Sequence, residues 1–77
     1  MSTEEKKAKD KADRIRNYHR YRAFADIKGV SDYQVSKETG MHNVVLSEWK
    51  SGKSQSKIDK LLKIASYLGV SVDKLLA

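Results

Sequence analysis

Asn43, Val44, Ser47 and Glu48 are the residues of this chain best equipped to recognise another molecule. A carboxamide can bond adenine through N6 and N7, and a valine can pack on a thymine methyl. A serine hydroxyl can bond several bases, and a carboxylate can accept from cytosine N4. Glu48 has a second reading, as a plain charge at the edge of a groove. The four act together only if they share a face. If Leu46 and Trp49, three residues apart on a helix, point into a core, helical geometry turns these four outward on the opposite side.

The elements that must hold that face are legible around it. Ser36, Gly40 and Leu46 follow one another at intervals of four and six residues within DYQVSKETGMHNVVLSEWKSG. Two short amphipathic segments flank the glycine, and a turn of about three residues separates them. That is the sequence form of a helix-turn-helix, whose second helix is laid into the DNA major groove. Where two helices cross beside their joint, a large side chain at 36 would hold them apart. Gly40 falls where the first must end in a left-handed residue, which glycine adopts without steric penalty. The pattern points to sequence-directed DNA binding.

The bulk properties agree. The chain has 77 residues, enough for one small domain, and 39% of them are hydrophobic, in periodic clusters. It has no cysteine and only two histidines, His19 and His42, so neither a disulfide framework nor a Cys/His zinc site is expected. No cofactor is expected either. No apolar run approaches the roughly 20 residues needed to span a bilayer, and no signal-peptide core is seen, so a cytoplasmic protein is expected. The net charge of +6 suits a polyanionic partner, although acidic lipid or RNA would fit charge alone. Paired carboxylates, a nucleophile beside a base, and a phosphate-cradling glycine loop are all missing at useful spacing, so no enzyme is expected.

Glycines at 29, 40, 52 and 69 and the lack of proline divide the chain into helix-length pieces, with nothing reading as a strand. The first helix is expected from about Thr3 to Lys28, capped by Ser2 or Thr3, with Glu4 and Glu5 in its first turn. Residues 1–16 read as a charged extension, either a solvated helix or a basic arm that follows DNA through Lys6, Lys7, Lys9 and Lys11. The domain proper is expected over 17–77. Tyr18, Tyr21, Phe24, Ala25 and Ile27 form one stripe, read as core rather than as a stacking platform. Ser31 and Gln34 make a capping box for the second helix, which runs to about Thr39. A third helix spans about His42 to Ser51. A fourth is expected from Ser56, burying Ile58, Leu61, Leu62, Ile64, Ala65 and Leu68. A fifth, short helix from Ser71 carries Val72, Leu75 and Leu76. The expected fold is an all-α bundle of five helices.

From Tyr21 to Leu76 the order of these features resembles the lambda-repressor-like (Cro/repressor, Xre-type) DNA-binding domains. The matching residues include Gly29-Val30-Ser31, Ser36, Gly40, Met41, Leu46, Ser47, Trp49, Gly52 and Leu68-Gly69-Val70-Ser71. The resemblance implies base contacts by Asn43, Val44, Ser47 and Glu48. It implies backbone contacts by Ser51, Lys53 and Ser54, with Gly52 permitting a close approach. His42 at the helix start, Lys57, Lys50, and Arg20, Arg22 and Lys28 on the first helix are further candidates for phosphates. The chain departs from the family at Ser36, where alanine is usual, and at Ser56, where proline is frequent. Asp32 stands where a phosphate-contacting glutamine is common, and would repel a phosphate. The implied function is that of a bacterial or phage transcriptional repressor on a near-palindromic operator, as a weak homodimer made cooperative by DNA. The alternative is an antitoxin-like protein-interaction module, for which the apolar end at Val70, Val72, Leu75 and Leu76 would serve.

Overall fold

A computed structural model describes the backbone of residues 3–76 and the side chains of residues 8–76. The expected capping by Ser2 or Thr3, and the side chains of Glu4, Glu5, Lys6 and Lys7, lie outside the described residues. Four α-helices follow in order: α1 (Thr3–Lys28), α2 (Asp32–Thr39), α3 (Asn43–Ser51) and α4 (Ile58–Leu68). There is no strand among the described residues.

Each helix ends where local chemistry stops it. Ser31 Oγ accepts from Gln34 N–H at 3.2 Å and so caps α2. The glycines after all four helices take positive φ, between 74° and 81°, and this left-handed residue lets the last carbonyls be satisfied as the chain turns away. The core gathers Tyr18, Tyr21, Val35, Leu46, Trp49, Ile64 and Leu75, all buried. Against it α1 packs on α3 and α4, and α2 packs on α3 and α4.

Three expectations about the outer elements need correction. The fifth helix is a single 3₁₀ turn, Val72–Lys74, closed by Lys74 N–H to Ser71 O at 3.0 Å and Leu75 N–H to Val72 O at 2.9 Å. So short a segment cannot repay α-helix nucleation, and the tighter turn suffices to drive Leu75 into the core. α4 starts at Ile58, with Lys57 rather than Ser56 at its cap, because Lys60 and Leu61 N–H both donate to Lys57 O. Ile27, Ile58 and Leu62 are exposed rather than buried. Ile27 lies roughly 200° round the helix from the buried Ala25, and Leu62 roughly 200° from Ile64. Each therefore faces outward.

Candidate nucleic-acid interface

The turn that sets α3 is fixed from both ends. Gly40 leaves α2 at φ 76°, and Met41 is buried behind it. Ser36 Oγ, itself buried, donates to the Met41 carbonyl. The departure from alanine thus supplies a hydrogen bond across the helix-turn-helix as well as a small volume.

The inward side of α3 is clamped by aromatic rings. Trp49 meets Tyr18 edge-on, with centroids 5.7 Å apart, and lies tilted against Tyr21 at 5.1 Å. Its Nε1 is buried with no hydrogen-bond partner among the described residues. Leu46 is buried beside it and Val45 partly so. With that face buried, Asn43, Val44 and Ser47 are exposed on the other, as helical geometry requires. Glu48 is half-buried, and its carboxylate accepts from Ser54 Oγ at 2.9 Å.

Of the residues implied for backbone contact, Ser51 and Lys53 are exposed and Ser54 is half-buried in the loop leaving α3. His42 holds the cap position of α3 without a side-chain capping bond, and it lines an open groove with Lys57 at the start of α4. Arg20 is exposed on α1, apart in the chain from that loop. Gly52 also serves the packing of α1. It is buried, and a Cβ there would meet Lys11 Cγ at 2.7 Å and Ile15 Cγ1 at 2.9 Å.

Two sets of ties have no counterpart in the sequence pattern. Arg14 donates from its guanidinium to Gly52 O at 3.0 Å, and Asn17 donates to the Gln55 side chain at 3.0 Å. Both dock the middle of α1 on the end of α3. The second set meets at Asp32. Its two oxygens accept from Tyr18 OH at 2.5 Å, Tyr21 OH at 2.7 Å and Arg22 at 2.8 Å. Burial pushes the Asp32 carboxyl up, but these three hydrogen bonds outweigh it and hold the group below the usual carboxylate value. Burial and the bond to Asp32 both push the two phenols up. Arg22 also pairs with Asp26 and donates to Val30 O, and Lys28 lies over the Tyr67 ring at 5.0 Å. Both cations thus have partners within the fold. The spacing of Tyr18, Tyr21 and Arg22 places them on one side of α1, but their common acceptor across the turn has no local signal.

A short helix with its inner face buried, polar groups exposed on its outer face and cations at its exit is an arrangement suited to nucleic-acid recognition. Residues 22–75 match the helix-turn-helix family, and the chain belongs to it, in the lambda-repressor-like, Xre-type branch. No curated protein and no solved structure matches the chain. The family binds double-stranded DNA and is typically non-enzymatic. No helix among the described residues is long and apolar enough to cross a membrane.

Proposed function

We propose that this chain binds double-stranded DNA sequence-specifically, as the DNA-reading domain of a bacterial or phage transcriptional repressor working in the cytoplasm on the nucleoid. The observation that carries this reading is the two-faced α3. Leu46 and Trp49 are about 1% exposed while Asn43, Val44 and Ser47 stand free. In the major groove Asn43 reads adenine, Val44 touches a thymine methyl and Ser47 adds a further hydrogen bond. Ser51, Lys53 and Ser54, with His42 and Lys57 across the groove, hold phosphates and set the register without reading sequence. Residues 1–16 are a charged extension of the domain at 17–77, adding affinity through Lys6, Lys7, Lys9 and Lys11. Selection of bound sequences from random duplex DNA tests all of this. A short enriched motif, repeated as a near-palindrome, is the expected result. Recovery of an unenriched pool would refute sequence reading.

A further inference from the structure

Glu48 sits at the rim of the reading face, yet its carboxylate turns back along the chain. Oε2 accepts from Ser54 Oγ at 2.9 Å, and Oε1 lies 4.0 Å from Lys53 Nζ. That hydroxyl and that ammonium are the donors assigned above to DNA phosphates. The main chain enforces the arrangement. Lys53 N–H donates to Glu48 O at 2.9 Å across the left-handed Gly52, and Ser51 Oγ donates to the same carbonyl at 3.0 Å. The loop therefore folds back over Glu48 and brings residues 53 and 54 to its side chain.

We propose that Glu48 is an internal stand-in for a DNA phosphate. In the free protein it holds Ser54 by a hydrogen bond and offsets part of the Lys53 charge, and a phosphate must displace it from Ser54 to use both. The inference rests on the DNA-binding reading above. A carboxylate is an acceptor-only anion, as a phosphate oxygen is, so the exchange keeps both donors satisfied and costs chiefly charge repulsion. That cost falls on every sequence alike, because phosphates carry no sequence information. Glu48 is then a brake on backbone grip and not a reader of cytosine. It also lowers the salt dependence, since a lysine already facing a carboxylate displaces fewer counterions from DNA.

The test measures binding of the full chain, Glu48→Gln and Glu48→Ala, to a selected duplex and to a random-sequence duplex, at 50 and 200 mM salt. The same variants are then made in a Lys53→Ala/Ser54→Ala background. Both Glu48 variants should bind both duplexes more tightly. The salt slope should steepen by less than about one unit, so that the gain shrinks by no more than about fourfold between the two salt concentrations. Most of the gain should vanish when Lys53 and Ser54 are absent. A loss confined to the selected duplex would overturn the proposal and make Glu48 a base reader. A gain undiminished in the double background would overturn it too, leaving only long-range charge. A parent chain that binds neither duplex at 50 mM salt would sink the DNA-binding reading itself, an outcome visible without any Glu48 variant.

Discussion

Asp32 opens α2 where a free carboxylate would face the partner, yet its oxygens are taken up by Tyr18, Tyr21 and Arg22 of α1. Hydrogen bonds to a charged group contribute about 1.5–3 kcal/mol each in favourable cases, and here three share one acceptor, so they do not add. Asp32→Ala should therefore destabilise the domain by about 2–3 kcal/mol at pH 7. The pH dependence follows from the directions of the shifts. The carboxyl is held below its ordinary value, so its stabilisation is present above about pH 3.9 and lost as pH falls further. The phenols are held above theirs, so their contribution is complete below about pH 10 and lost as pH rises beyond it. Denaturant melts of the parent and Asp32→Asn at pH 3 and 7 check the carboxyl: the gap should be wider at pH 7, while both chains weaken above about pH 10. An equal gap at pH 3 and 7 would mean that the carboxyl does not titrate with folding. On α3 and its exit the roles separate differently. Asn43→Ala should cost roughly 1–3 kcal/mol on the preferred site and relax discrimination at one base pair. Lys53→Ala should weaken all sequences alike and reduce the salt slope by about one unit or less. Uniform losses in both variants would remove Asn43 from the reading face.

Two glycines that end neighbouring helices separate local from tertiary demands. Gly40 and Gly52 have nearly equal φ, 76° and 80°, but a Cβ at 40 meets nothing within 4 Å while one at 52 runs into Lys11 and Ile15. Gly40→Ala should cost about 1–2 kcal/mol, the penalty of the left-handed conformation alone. Gly52→Ala should cost more, and Ile15→Ala in the same chain should recover part of the excess, as a coupled pair does. Additive effects in that double-mutant cycle would mean that α1 does not press on Gly52. The same contrast explains which features are legible in the sequence. The ends of α1, α2 and α3 follow from glycines and the start of α2 from the Ser31 cap, which are local signals, and the outward turn of Asn43, Val44 and Ser47 follows from apolar spacing. The contact of Ile15 with Gly52 and the gathering of Tyr18, Tyr21 and Arg22 on Asp32 join residues far apart in sequence, and no periodicity announces them. The 3₁₀ turn reads as a helix because Val72, Leu75 and Leu76 carry helical spacing whether or not the segment is long enough to nucleate one. Leu62 reads as core because it is apolar, although the buried stripe of α4 passes on the other side of the helix.

Whole, the molecule measures 39 × 23 × 21 Å, close in length to one turn of DNA. A single α3 touches only a few base pairs, too few to select one site among the many of a genome. Two copies with α3 about 34 Å apart on a near-palindrome would supply the missing selectivity. The large exposed apolar side chains, Ile27, Tyr33, Val44, Ile58 and Leu62, are spread over α1, α2, α3 and α4. At the apolar C-terminal end Leu75 is fully buried in its own core, which leaves the half-buried Val70, Val72 and Leu76. Three such side chains fall far short of the roughly 800 Å² that each partner buries in a stable interface. The protein should therefore be monomeric at micromolar concentration and pair cooperatively on DNA. Sedimentation with and without a duplex carrying two half-sites measures this, and a tight dimer without DNA would refute it. The same experiment on a chain starting at Ala12 keeps Arg14 and Ile15 on Gly52 while removing Lys6, Lys7, Lys9 and Lys11. If the extension follows the DNA backbone, truncation should weaken all sequences alike and flatten the salt slope by about one unit for each phosphate no longer neutralised. Unchanged affinity and slope would leave the extension with no part in binding.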